Sequence, residues 1–226
     1  MLHGGAIALL LFVFLLFLFP LFLADLMLTA LDRLGLEPEV SLLAAIGIFL
    51  GGIVNIPVRR IRRDNPMDYS TLQMYGIHRI LPQLIQQRNY TTIAVNAGGC
   101  LVPASIALYQ IYRIATQRSE ALVAVLGASA INIVVCHIFA RPVPGVGIAL
   151  SPIIPTSAAV LCGLFFIPEL APVIAFVAGV TGPLIGADLL NLDKIARIST
   201  GVASIGGAGT FDGIVISGFL STLLVW

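Results

Sequence analysis

The sequence predicts an all-α fold: a polytopic transmembrane helix bundle of about seven spans, with Gly/Pro-broken segments and one interfacial helix on the cytoplasmic side. Three observations carry this. Of the 226 residues, 58% are hydrophobic. Only 10% are charged, where a soluble domain averages about 25%. The apolar residues also gather into runs close to the ~20 residues that cross a hydrocarbon core. With a mean hydropathy of +1.03 the chain cannot cover a water-soluble surface. That excludes a soluble enzyme and a disordered protein. A net charge of +1 leaves no footprint for nucleic acid. The whole chain, 1–226, reads as one transmembrane domain.

The first apolar run, residues 6–24, is too long for a signal peptide and has no basic region before it, so it predicts a retained span. The second covers 40–56. A polar stretch at 57–90 follows and is predicted to be a cytoplasmic loop. Within it Leu72, Ile77, Ile80, Leu81, Leu84 and Ile85 fall near one helical face, the pattern of an interfacial helix kinked by Pro82. The third run is 91–112 and the fourth 121–139. The fifth, 148–167, is interrupted by Pro152 and Pro155. The sixth is 170–187 and the seventh 202–226. A weak internal echo places Gly98-Gly99 near the start of the third run and Gly206-Gly207 near the start of the seventh.

Charge sets the expected orientation. Asp25, Asp32, Glu37 and Glu39 cluster between the first two runs, whereas Arg59, Arg60, Arg62, Arg63, Arg79 and Arg88 fill the next connection. Positive charge stays on the cytoplasmic side. The N-terminus and the 57–90 loop are therefore expected inside, as are Arg141, Lys194 and Arg197. Arg113 and Arg118 fall outside and run against the rule. Cys100, Cys136 and Cys162 are scattered through apolar runs, and the three histidines form no ligand pair, so neither a disulfide framework nor a zinc site is indicated.

An ionisable residue within a span costs about 2.5–3.5 kcal/mol at a helix centre and so marks function. Asp212 stands about ten residues into the last run, after Gly206, Gly207, Gly209 and Thr210. Gly209, Gly213, Ser217 and Ser221 recur every four residues, a smooth face for close helix packing. The structural alternative for Asp212 is a helix cap. Asp188 closes the sixth run, with Asn191 one turn on. It reads either as a partner of Asp212 or as an interfacial cap. Two carboxylates meeting in lipid do not both ionise easily. One then acts as acid and the other as base on a water. The same pair also suits cation binding or proton relay. Pro142, Pro144, Gly145 and Gly147 break the chain after Arg141, giving a re-entrant loop whose arginine pairs with an aspartate, or a surface loop with Arg141 at the headgroups. Asn96 and Asn132 are intramembrane amides, suited to a binding role or to bonds between helices.

These blocks carry two resemblances. The stretches 140–148, 185–192 and 204–213 resemble those of a prokaryotic family of polytopic membrane proteins of unknown function. That implies a membrane location and a shared fold. More loosely, the sixth and seventh runs resemble the catalytic pair of the intramembrane aspartyl proteases: presenilin, signal peptide peptidase and prepilin peptidase. Those place one aspartate in one span and a second after a Gly-x-Gly motif in a later one. Here Thr210-Phe211 separates Gly209 from Asp212, and Ala187 rather than tyrosine precedes Asp188. The resemblance implies a peptidase with Asp188 and Asp212 as catalytic residues and no metal or organic cofactor. Arg141, Asn96, Asn191, Gly206, Gly207, Gly209 and Thr210 are candidates for binding roles around the pair. The expected partners are the lipid bilayer and a transmembrane-peptide substrate, with no nucleic acid; oligomeric state has no sequence signal. The expected location is a prokaryotic inner membrane. Two alternatives stand beside the peptidase. One is a small ion- or proton-coupled transporter or channel with Asp212 as ligand, and the other is a non-catalytic subunit of a membrane complex.

Overall fold

In the computed structural model, which describes residues 2–62, 90–143, 147–195 and 202–225, helices are interleaved with short strands. The helices are α1 (Leu2–Arg33), α2 (Pro38–Gly51), α3 (Val102–Gln117), α4 (Leu122–Phe139), α5 (Ile153–Phe166), α6 (Ala171–Thr181) and α7 (Gly213–Leu224). The strands are β1 (Asn55–Arg62), β2 (Tyr90–Asn96), β3 (Arg141–Val143), β4 (Gly147–Ala149) and β5 (Val202–Ile205).

Helix α6 is the hub. Ile174, Ala175, Phe176, Val177, Ala178 and Val180 are all fully buried in it, and α3, α4, α5 and α7 pack around it. Lipid is as apolar as a leucine side chain, so packing between such helices depends on close contact and interhelical hydrogen bonds. The α6–α7 seam shows both. A Cβ on Gly179 would lie 2.7 Å from the Ser217 carbonyl oxygen, so only glycine allows this approach. Ser217 Oγ donates to the Gly179 carbonyl, and Ser221 Oγ to the Ala175 carbonyl at 2.9 Å. The expected small-residue face therefore exists at Ser217 and Ser221. Gly213 faces open space, and Gly209 lies in a turn before the helix.

The fold is mainly helical but not all-α. Three strands form one sheet in the order β1-β2-β5, and β3 pairs with β4 in a second. β1 and β2 are antiparallel. β2 and β5 are parallel, with Thr92 opposite Val202 and Val95 opposite Ile205. The expected third, fifth and seventh runs therefore each divide into a strand and a helix. The reason is local. Thr91-Thr92-Ile93 and Val202-Ala203-Ser204-Ile205 are short, partly β-branched stretches ended by Gly or Asn, which suits strands. Glycine then releases the backbone before the helix begins. β2 leads through a glycine-containing π-helical stretch, Ala97–Leu101, and β5 through a glycine-rich turn into a helix, which is the form the Gly98-Gly99 and Gly206-Gly207 echo takes.

Among the described residues, three helical stretches are long and apolar enough to cross a membrane: Leu11–Arg33, Ser119–Phe139 and Pro168–Ile195. Pro38–Gly51, Ile153–Phe166 and Gly213–Leu224 are apolar but shorter. At 1.5 Å per residue, α7 is only ~18 Å long. The interfacial helix expected around residues 72–85 lies outside the described residues, as do Arg63, Arg79, Arg88, Pro144, Gly145 and Arg197. Arg59, Arg60 and Arg62, expected in a loop, lie in β1.

Candidate active site

Asp188 is placed by a break in helical geometry. Beyond Thr181, α6 continues as a wide, π-helical stretch, Gly182–Asp188, with Pro183 in its first turn. Proline lacks the N–H that an α-helical ladder needs there, and the wider turns leave carbonyls to be satisfied from outside. Two buried amides supply the donors. Asn132 Nδ2 donates to the Ala178 carbonyl at 2.8 Å and to the Pro155 carbonyl at 3.1 Å. Asn191 Nδ2 donates to Gly186 at 3.0 Å and Ala187 at 2.8 Å, while Lys194 Nζ donates to Asn191 Oδ1. Asp188 then sits half-buried at the end of the stretch.

Asp212 is placed by the loop after β5. The chain turns at Gly206-Gly207-Ala208, makes one 3-10 turn at Gly209–Phe211 and enters α7. Asp212 is the N-cap: Oδ1 accepts the Ile214 N–H at 3.0 Å, and Oδ2 accepts the Ala208 N–H at 3.3 Å. The cap reading of Asp212 is therefore observed. The backbone N–H of Gly206 stands beside the Asp188 carboxylate. One glycine-rich loop thus binds Asp212 through its main chain and flanks Asp188.

Both aspartates line one cavity of about 370 Å³. β5 forms one wall, Gly147 and Ile148 of β4 another, and Pro152, Pro155 and Pro183 a third. Among the described residues, Asp188 and Asp212 are the only ionisable side chains lining it. The remaining surface is mostly small and apolar, with the Ser204 side chain and main-chain groups as its polar content.

The other expected site residues divide. Gly207 lines the cavity. Gly206 lies behind it with φ +71°, where a Cβ would come 2.6 Å from the Gly99 carbonyl carbon. Gly209 rests on Gly52, and Thr210 lies in the 3-10 turn; neither lines the cavity. Asn191 is a scaffold amide. Asn96 is fully buried and fully engaged: Nδ2 donates to the Gly52 carbonyl and to Asn55 Oδ1, and Oδ1 accepts the Gly99 N–H. Its role is to lock β2 to the end of α2. Arg141 is exposed on β3, opposite Ala149, and makes no ion pair with an aspartate among the described residues. Of its two alternatives, this exposed position on a hairpin is nearer to the surface loop than to a partner for an aspartate.

Sequence reasoning missed β5 and the β3–β4 hairpin as walls, and missed Ser204, whose Oγ donates to Asn55 Oδ1. The signal for β5 was present in Val202–Ile205, a short run held between glycines. Among the described residues no group of three or more His, Cys, Asp or Glu could hold a metal ion.

The long apolar helices mark an integral membrane protein, with two carboxylates lining one cavity beside a helix break. Residues 49–224 match the family described as "Protein of unknown function (DUF1614)". That span covers over three quarters of the chain, and the chain belongs to this family. No curated protein and no solved structure matches it.

Proposed function

We propose that the protein is an intramembrane aspartyl peptidase of a prokaryotic cytoplasmic membrane, its N-terminus inside, with Asp188 and Asp212 as the catalytic pair. One observation carries the reading: among the described residues, the only two ionisable side chains on the cavity wall are carboxylates from two different elements, one bound by and the other beside the main chain of one loop. In the reaction, one carboxylate takes a proton from water as the oxygen bonds to the substrate carbonyl carbon. The other, protonated, gives its proton to the carbonyl oxygen. The diol then collapses. The C–N bond breaks, the amine nitrogen takes up a proton and the acid product keeps the carbonyl.

The cavity walls suit an extended substrate. β5 is an edge strand of its sheet among the described residues, and its residues line the cavity beside Asp212. An extended peptide added there gains main-chain hydrogen bonds along its length. A single-span peptide would have to unwind locally to use them.

The test is cleavage of labelled single-span peptides by the purified protein in detergent or nanodiscs. Asp188→Asn and Asp212→Asn are each expected to abolish cleavage. Cleavage that persists in both variants would remove the pair from the mechanism. The transporter reading predicts ion or proton flux in proteoliposomes instead, lost in Asp212→Asn, with no peptide product.

A further inference from the structure

At the end of the bundle away from the aspartates, the surface of α3 carries a second feature. Asp212 starts α7, whereas Arg33 Nη1 donates to the Val225 carbonyl just past the end of α7 at 2.8 Å. The α1–α2 connection therefore lies one helix length from Asp212. A groove of about 610 Å³ opens beside it, between that connection and α3. Ser105, Tyr109, Arg113 and Gln117 line it at every fourth residue. They follow the helix axis for ~18 Å. Leu36, Val40 and Ile106 make its apolar side.

Polarity collects at one end. Arg113 Nη1 donates to the Leu34 carbonyl at 2.8 Å and to the Gly35 carbonyl at 3.3 Å, and Glu37, two residues beyond Gly35, lines the same groove. The guanidinium lies over the Tyr109 ring, its centre 5.8 Å from the ring centroid, and among the described residues its hydrogen bonds are all made by Nη1. Arg113 and Gln117 also line an adjoining hollow with Arg118. Tyr109 and Tyr112 are 50% and 65% exposed, the placement of tyrosines at a membrane–water boundary. Arg113 and Arg118 are the two cations that run against the charge rule for orientation, so anchoring topology does not account for them.

We propose that this groove holds one phospholipid with an amine-bearing, zwitterionic head, of the phosphatidylethanolamine type. An acyl chain lies along Val40, Ile106 and Tyr109. The phosphate accepts from Arg113 and Gln117, and the primary ammonium donates to Glu37. The apolar length of the groove selects a lipid over free phosphate. Glu37 selects against a glycerol head, which brings no cation, and against choline, whose quaternary nitrogen has no N–H to donate. This inference is independent of the peptidase reading.

The experiment is native mass spectrometry of the full chain, released from detergent after incubation with equal amounts of dioleoyl phosphatidylethanolamine, phosphatidylcholine and phosphatidylglycerol. The ethanolamine lipid is expected to be retained over each of the others by about two- to fivefold, as for one partly exposed ion pair. Glu37→Gln is expected to remove that preference. Gln117→Leu is expected to lower retention of all three lipids. Arg113 is left unchanged because it also caps α1. A thermal melt matching the parent chain confirms that each variant is folded. Equal retention of the three lipids, or a preference unchanged in Glu37→Gln, overturns the proposal. Displacement of the lipid by excess inorganic phosphate also overturns it, because the site would then bind an anion without using its groove.

Discussion

Asp188, at the end of the π-helical stretch, and Asp212, at the start of α7, line the same cavity. Gly206, in the turn after β5, stands beside the carboxylate of Asp188. Asp212, six residues beyond Gly206, is bound through Ala208 of the same turn. The two carboxylates are therefore positioned together, and a change in the turn reaches both.

Gly206→Ala tests that coupling. Its φ of +71° and the 2.6 Å approach of a Cβ to the Gly99 carbonyl carbon oppose any side chain. Such strain costs on the order of 1–3 kcal/mol. A lower melting temperature in detergent is expected, together with loss of peptide cleavage. An unchanged melt would show that the turn relaxes freely.

Asp212 has two separable roles. Asparagine caps a helix about as well as aspartate, while alanine costs about 1 kcal/mol. Asp212→Asn is expected to melt like the parent chain, and Asp212→Ala to melt lower. Neither variant is expected to cleave peptide. Thermal unfolding and the cleavage assay, run on both, separate cap from catalyst.

Asn132 is expected to matter for stability. Its fully buried amide serves carbonyls on α5 and α6. Asn132→Leu leaves both carbonyls without that donor in an apolar setting. A loss of about 1–2 kcal/mol is expected, as for model interhelical amides. Reversible unfolding in mixed micelles measures it.

Gly179→Leu is expected to disrupt the α6–α7 seam. The new side chain would meet the Ser217 carbonyl oxygen and Gly218 Cα at the α6–α7 seam. Overpacking commonly costs about 1–3 kcal/mol, and here the opposing atoms are backbone. Expression yield and monodispersity on gel filtration give the readout.

Much of the site was legible in the residue order. Asp188 and Asp212 stand out because carboxylates are rare in apolar runs, and Pro183 and Gly206-Gly207 mark where helices fail. For Arg141 two readings stayed open, a partner for an aspartate or a surface position, because a three-residue strand pairing with Gly147–Ala149 leaves no periodic signal over so short a span. For Asn96 a binding role and a bond between elements stayed equally open. A buried amide looks the same in sequence whether it faces a cavity or a neighbouring backbone.

Hydrophobic content and charge placement, taken alone, determined that this chain belongs in a bilayer, because no arrangement of so few polar groups can face water. They also marked the two acids. Only the tertiary structure decided that the broken runs pair as strands and that both acids line one cavity. Strand pairing and cavity walls depend on segments some 110 residues apart, such as Thr92 and Val202, and local composition holds no record of which distant backbone supplies the missing hydrogen bonds.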